Sequence, residues 1–203
     1  MPGITRAIAY ARDPARAAQD EIVKLHAAGT LTNLALNADF ARPASRQEGA
    51  LPAEFGAWQD EKTSSGKFAW DREVGRGAAR ATGVKWGCFI QATPVKPGET
   101  YAVMADCLPR GGSSPTLVVR WQTAESRWTH EHDDRTFVFN ADGAVPGATS
   151  KQSAAQPGEW RKAFGVVTVP PEVGRLVILL NVTGQIEEGD VCWFDNVALY
   201  RLR

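Results

Sequence analysis

Near its carboxyl end the chain reads VCWFDNVALY, residues 191–200, in which apolar side chains recur at every second position. Such alternation is typical of a half-buried antiparallel strand, with one face on a core and the other toward solvent. One acidic residue, Asp195, falls on the richer apolar face and needs a partner there, because a buried and unpaired charge costs several kcal/mol. The other members of that face are Val191, Trp193, Val197 and Leu199.

The same strand pattern continues back toward the amino end. Leu117, Val119 and Trp121 alternate with polar positions, and turn pairs such as Pro97-Gly98 divide neighbouring apolar runs. Roughly ten short strands with this punctuation predict an all-β protein, as a jelly-roll β-sandwich. The predicted strands lie near residues 32–40, 67–71, 76–81, 87–95, 100–108, 116–123, 135–140, 160–169, 175–183 and 191–201.

Residues 1–30 differ from the rest of the chain. An Asp-Pro pair at residues 13–14 is typical of a helix start, an Ala-rich stretch follows, and Gly29 supplies the stop. Only Ile22 and Leu25 form an apolar stripe, so this helix needs another surface to lean on. We interpret residues 1–30 as a short helical extension or the tail of a preceding domain.

Composition excludes several classes of partner. The chain has 203 residues, with 23 Lys and Arg against 23 Asp and Glu, so its formal net charge is zero. We therefore expect no general attraction to nucleic acid or to an anionic membrane. No long apolar run predicts a membrane span, and the amino end lacks the pattern of a signal peptide. Three cysteines, an odd number, exclude a complete disulfide framework and leave at most one intrachain bridge; we expect small buried thiols.

Four segments, in order, resemble the carbohydrate-binding modules of families 4, 9 and 22, which share the galactose-binding-like jelly roll. These segments are NLALNADF (33–40), QATPVKPGETY (91–101), GEW (158–160) followed by VP (169–170), and WFDNVALY (193–200). The resemblance covers residues 31–203. It implies a non-catalytic module that binds a polysaccharide or oligosaccharide inside a larger carbohydrate-active protein, with a catalytic neighbour such as a glycoside hydrolase. We expect an extracellular or periplasmic location through that parent protein.

Sugar binding needs aromatic faces that stack on the C–H surfaces of the ring, together with planar polar groups for the hydroxyls. Trp86 and Trp128 adjoin polar, turn-like residues and are the predicted platforms. Asp106, Arg120 and Gln122 are the predicted polar partners, on two strands expected to be neighbours; the alternative is a plain solvated face. Further aromatic candidates are Trp58, Trp70 and Tyr200, whereas Trp121, Trp160 and Trp193 are expected to pack in the core.

The resemblance also implies a structural Ca²⁺ between the first and last strands, with Asp39 and Asp195 at the matching positions. Hard oxygen ligands suit Ca²⁺, and a bound cation would explain a carboxylate on an apolar face. The alternative is that Asp195 bonds backbone donors or an arginine such as Arg80. His130 and His132 are the other cluster with metal-site chemistry, and a hydrated loop is our expectation for them.

Two other function classes stay open. The first is a structural interdomain sandwich with no sugar site, which packs on a neighbour through its helix and one sheet face. The second is an enzyme, which we do not expect, because the sequence contains neither a Gly-x-Ser-x-Gly elbow nor a phosphate-binding glycine loop.

Overall fold

The computed structural model describes residues 20–22, 24–25, 28–140 and 159–202. Within them the chain is a sandwich of two antiparallel sheets, so the predicted all-β jelly-roll class is confirmed. A short 3-10 helix, η1, spans Glu131–Asp133. The strands are β1 (Gly56–Gln59), β2 (Lys67–Asp71), β3 (Ala78–Thr82), β4 (Trp86–Pro94), β5 (Thr100–Arg110), β6 (Ser114–Gln122), β7 (Trp128–Thr129), β8 (Arg135–Val138), β9 (Arg161–Thr168), β10 (Arg175–Thr183) and β11 (Val191–Arg201).

The strands divide between the sheets in an order that differs from their order along the chain. One sheet has six strands, β1-β4-β10-β6-β7 with β8 also paired to β6, and the other has five, β2-β3-β11-β5-β9. The consecutive strands β5 and β6 therefore belong to different sheets. The outward side chains of β5 and β6 consequently face opposite sides of the molecule.

Aromatic and branched side chains from both sheets fill the space between them. Phe194 of β11 lies with its ring centroid 6.2 Å from that of Phe89 and 5.9 Å from that of Phe139. Trp121 of β6 is buried in the same cluster, and its indole Nε1 donates to the carbonyl oxygen of Asp133 at 3.0 Å. This bond ties the loop after β7 to the core.

The segment 32–40, predicted as a strand, is instead an irregular turn. Asn37 and Phe40 have φ of 47° and 46°, left-handed values that cannot continue a strand. Asn33 pins the segment to β11: its Oδ1 accepts from the amide of Leu199 at 2.9 Å, and its Nδ2 donates to the carbonyl of Val197 at 2.9 Å. The quoted motif thus works as a side-chain clamp on the last strand.

A β-bulge between Asp195 and Ala198 corrects the predicted faces of β11. Asn196 has φ of 51° there, and the register shifts past it. Before the bulge Phe194 points into the core and Asp195 outward, and after it Val197 points inward. The prediction that Val191, Trp193, Asp195, Val197 and Leu199 share one face is wrong, because an extra residue in the strand resets the alternation.

The outer face of the five-stranded sheet is partly covered by the amino-terminal segment. Residues 20–22 and 24–25 are helical, and Ile22 is buried against a cluster on that face. The rest of the predicted helical extension lies largely outside the described residues. In the described part of the chain, no helix is long and apolar enough to cross a membrane. The cluster consists of Ala102, Met104, Phe164, Ala198 and Tyr200, with Leu31 beside it.

All three cysteines are buried, as predicted, and the structure shows that all three are free thiols. Burial raises the pKa of the Cys88 thiol to about 12, and burial beside Cys192 raises the pKa of Cys107. Because the thiolate is the reactive form, we expect the reduced native protein to resist thiol reagents at mildly alkaline pH. After unfolding in denaturant, all 3 cysteines should react. Rapid labelling of the native protein would contradict the buried positions.

Candidate functional site

Three exposed tryptophans lie on the outer face of the six-stranded sheet. Trp58 of β1, Trp86 of β4 and Trp128 of β7 are 47%, 50% and 44% exposed. Large aromatic side chains are costly to leave in water, so their concentration on one sheet face indicates a binding surface. We call this surface, the outward side of β1, β4, β10, β6 and β7, the tryptophan face.

Trp58 and Trp86 form one corner of the tryptophan face. Their ring centroids are 5.6 Å apart, and the rings are nearly perpendicular at 89°. Trp58 lies opposite Cys88 in the strand register, and Cys88 beneath the pair is buried. An edge-to-face arrangement is favoured for a pair of aromatic rings, and both indoles stay about half exposed, so the pair offers aromatic surface to a ligand.

An open depression adjoins this corner at the edge of the sheet. Its volume is about 640 Å³, and its wall includes Trp58. Charged and amide side chains line it beside the aromatic rings, a mixture suited to a ligand with hydroxyl groups. The polar lining residues are Gln59, Asp60, Glu61 and Lys62.

Trp128 forms the opposite corner with Arg120. The guanidinium carbon of Arg120 lies 4.4 Å from the Trp128 ring centroid, a cation–π stack. Arg120 Nε donates to Asp134 Oδ2 at 2.8 Å, and a second nitrogen lies 3.6 Å from Glu131. The charge of Arg120 is therefore already matched by two carboxylates.

The two corners are separated along and across the sheet. Trp86 is level with Ser114 at the start of β6, whereas Trp128 pairs with Gln122 at its end. Eight residues of extended strand correspond to roughly 27 Å, and the three strand spacings from β4 to β7 to roughly 14 Å. Trp86 and Trp128 thus cannot hold one sugar ring together, but they can hold two ends of a chain.

The floor between the corners is apolar with a polar row at one side. Val177 and Leu179 of β10 are buried there, next to Cys88 and Val118. Asn181 of β10 lies level with Thr116 of β6 and Cys88 of β4, and is partly exposed. The sequence reading missed Asn181 and Thr116, which only the strand register brings beside each other.

Four of the five predicted sugar-binding residues lie on the tryptophan face: Trp86, Trp128, Arg120 and Gln122. The fifth, Asp106, does not. It lies on β5 in the other sheet, bonds Lys162, and accepts from Asn196 Nδ2 at 3.0 Å. The expectation that its strand neighbours that of Arg120 is wrong, because the chain crosses to the other sheet between β5 and β6.

The remaining tryptophans divide differently from the prediction. Trp121 and Trp193 are buried as expected, but Trp160, expected in the core, is 39% exposed just before β9. Among the further candidates, Tyr200 is buried, and Trp70 is half-buried and donates to the carbonyl of Phe40 at 2.5 Å. Neither belongs to the tryptophan face.

Asp195 lies among acidic neighbours on the outer face of the five-stranded sheet. Its Oδ1 accepts the amide of Asn196 at 2.7 Å, one of the backbone donors considered above, whereas Arg80 bonds Asp71 at 3.2 Å. Burial raises the pKa of Asp195 to about 6, and the charges of Asp106 and Asp39 add to the rise. The ionised form of the Asp195 carboxylate is therefore destabilised in the folded protein.

Asp195→Asn is expected to raise stability at neutral pH. The folded pKa of about 6 exceeds the ordinary 3.8, so Asp195 penalises folding increasingly between about pH 4 and pH 6. The penalty is about 1–2 kcal/mol after allowance for solvent screening. Thermal unfolding in chelator, across that pH range, should show equal stability at the acid end and a more stable variant at neutral pH. A less stable variant at neutral pH would contradict this.

No three His, Cys, Asp or Glu side chains among the described residues converge on a point that could hold a metal ion. Asp106, beside Asp195, is taken up by Lys162. These side chains alone therefore do not form an assembled Ca²⁺ site, and calcium binding at Asp39 and Asp195 stays a prediction. His130 and His132 have ring centroids 5.9 Å apart, and His132 pairs with Asp133 at 3.2 Å.

No protein-family model matches the chain, and no curated protein matches it. Solved structures do. A CBM4 carbohydrate-binding module is 19% identical, with TM-score 0.50, over 82% of this chain and 98% of its own. TmCBM61, solved in complex with β-1,4-galactotriose, is 17% identical, with TM-score 0.50, over 84% of this chain and 99% of its own. The chain has the fold of a carbohydrate-binding module.

The carbohydrate-binding-module fold also occurs in enzymes. The enzymatically active domain of tailspike protein 4 from bacteriophage CBA120 is 12% identical, with TM-score 0.56, over 84% of this chain. This chain spans 21% of that tailspike chain. A cyclase from Fischerella sp. TAU matches as well. Likeness at these identities establishes the fold, and function has to be argued from the site.

Proposed function

We propose that this chain is a non-catalytic carbohydrate-binding module whose ligand, a polysaccharide or oligosaccharide, lies across the tryptophan face. The observation that carries the proposal is the placement of Trp58, Trp86 and Trp128, all exposed, at two opposite corners of one sheet face. Rings at both ends with an apolar floor between them suit an extended chain of sugars better than a compact small molecule.

The outer side of the five-stranded sheet is less suited to a ligand than the tryptophan face. Ile22 and Leu31 pack on the outer side of the five-stranded sheet, which leaves less of that surface for a ligand. The tryptophan face carries partly exposed polar groups, Asn181 and Gln122 among them, that suit sugar hydroxyls.

The parent protein is part of the proposal. We propose that the module serves a larger carbohydrate-active protein, beside a catalytic domain such as a glycoside hydrolase, outside the cell or in the periplasm. This rests on the fold and on the way it recurs as a fraction of a longer chain, as in the tailspike.

A glycan array and affinity gels, run on the full chain, test the binding function. Neutral and acidic plant, algal and host polysaccharides are the probes, each with Ca²⁺ and with chelator. We expect reproducible retention by one glycan class. If the folded protein binds none of the polysaccharides, the structural interdomain alternative is favoured. The packing of Ile22 and Leu31 on the other sheet supports that alternative.

Calcium binding at Asp39 and Asp195 is a separate proposal with its own test. Burial, with a further contribution from the charges of Asp106 and Asp39, destabilises the ionised Asp195 carboxylate, and bound Ca²⁺ would offset that cost. The wild-type melting temperature should then rise with added Ca²⁺, and Asp195→Ala should remove that response. An unchanged melting temperature in metal-depleted wild-type protein, with and without Ca²⁺, would reject it.

A further inference from the structure

We propose that Arg120 and Asp134 are positioning residues for Trp128: the Asp134 carboxylate orients the Arg120 guanidinium, and the guanidinium holds the indole flat for a sugar ring. This deepens the proposed function and rests on it. It also changes the role first predicted for Arg120, from a direct partner of sugar hydroxyls to a support beneath the platform.

Arg120 stacks on one face of the Trp128 indole. The guanidinium carbon of Arg120 sits 4.4 Å from the centre of the Trp128 ring, so one face of the indole is covered by the arginine plane. Trp128 is nevertheless 44% exposed, which leaves the other face for a ligand. Trp128 belongs to a strand of only two residues, so its backbone alone fixes the ring weakly.

Two carboxylates fix the position of the Arg120 guanidinium. Asp134 Oδ2 accepts its Nε at 2.8 Å, and Glu131 lies 3.6 Å from another of its nitrogens. Asp134 itself cannot move freely, because the carbonyl of the preceding residue, Asp133, accepts the Trp121 indole at 3.0 Å. The neighbouring residues Arg120 and Trp121 thus grip the loop from opposite faces of β6.

Only one of the two carboxylate oxygens of Asp134 has a hydrogen-bond partner. Its Oδ1 is buried and has no hydrogen-bond partner, which is costly for a carboxylate. If this loop only connected β7 and β8, a solvent-exposed polar residue at position 134 would avoid that cost. A buried carboxylate is explained at this position if it is needed to hold Arg120 against the Trp128 ring.

Fluorine NMR of the Trp128 indole tests whether Arg120 and Asp134 fix its position. Protein labelled with 5-fluorotryptophan gives one fluorine resonance per tryptophan, and Trp128→Phe assigns the one at issue. We expect Asp134→Asn and Arg120→Met to shift or broaden the Trp128 resonance and to leave in place those of Trp58, Trp86 and Trp160, which lie away from this loop. Glu125→Gln is the matched control, an acid-to-amide change in the preceding loop, between β6 and β7, where the Glu125 carboxylate faces Arg127 at 3.9 Å instead.

Glycan affinity is the second readout. With the polysaccharide retained by the wild-type chain, Asp134→Asn and Arg120→Met should bind about 3- to 30-fold more weakly, the range expected when a cation–π contact is lost. Arg120→Lys, which keeps the charge without the planar fork, should fall between wild type and Arg120→Met. Glu125→Gln should bind as wild type does.

The two claims fail in different ways. If the wild-type chain binds no glycan, the proposed function fails, while the fluorine resonance still decides whether Arg120 and Asp134 hold the ring. An unmoved Trp128 resonance in both Asp134→Asn and Arg120→Met overturns the positioning role. So does a moved resonance with unchanged glycan affinity.

Discussion

Replacing Trp86 or Trp128 by Ala is expected to weaken glycan binding about 10- to 100-fold each, which is typical of an aromatic hot spot. Each indole is about half exposed on the tryptophan face, so its removal deletes stacking surface without opening a cavity in the core. Isothermal titration with the retained polysaccharide measures the loss, and thermal unfolding should show nearly unchanged melting temperatures.

Trp160→Ala is the matched control for both variants. Trp160 is 39% exposed, close to the exposure of the two platforms, but lies before β9 of the other sheet. We expect wild-type affinity from it. Undiminished binding by both platform variants, or a fall of many degrees in their melting temperatures, would remove them from the site.

Asn33→Ala is expected to cost about 2–4 kcal/mol of unfolding free energy. Its side chain accepts from the amides of Ala35 and Leu199 and donates to the carbonyl of Val197, so alanine leaves partly buried backbone groups without partners. The hydrogen bonds to Val197 and Leu199 join the segment before β1 to the last strand of the chain, and their loss releases that segment from β11. Denaturant unfolding followed by fluorescence measures the difference.

Asn33→Asp separates the two halves of this clamp. Aspartate keeps the acceptor for Ala35 and Leu199 but loses the donor to Val197, so its stability should lie between wild type and Asn33→Ala. Equal stability of wild type and Asn33→Ala would show that the clamp does not stabilise the fold.

The sequence predicts the sandwich because inward apolar and outward polar residues alternate along its longer strands. β6, predicted at 116–123 and observed at 114–122, is an example: its inward residues Leu117, Val119 and Trp121 are apolar, whereas the outward face carries the polar residues Thr116, Arg120 and Gln122. Alternation reports which way a side chain points relative to its own strand. It does not report which sheet the strand joins, and this is why Asp106 was placed beside Arg120 although β5 and β6 face opposite ways.

Short strands and irregular backbone account for the other differences. β1 and β7 have four and two residues, too few for a period to be visible, and β1 carries Trp58, which completes an aromatic corner. The bulge at Asn196 and the turn at Asn37 depend on left-handed φ values. Asparagine tolerates that conformation, but a single sequence does not reveal which asparagines adopt it.

Mapping of amide chemical shifts by NMR, as the retained glycan is added to the full chain, tests the central claim most directly. We predict that the perturbed amides cluster on the tryptophan face, around Trp58, Trp86, Asn181 and Trp128, and that the outer side of the five-stranded sheet stays unchanged. Perturbations confined to the five-stranded sheet, or none at saturating glycan, would contradict the proposed site.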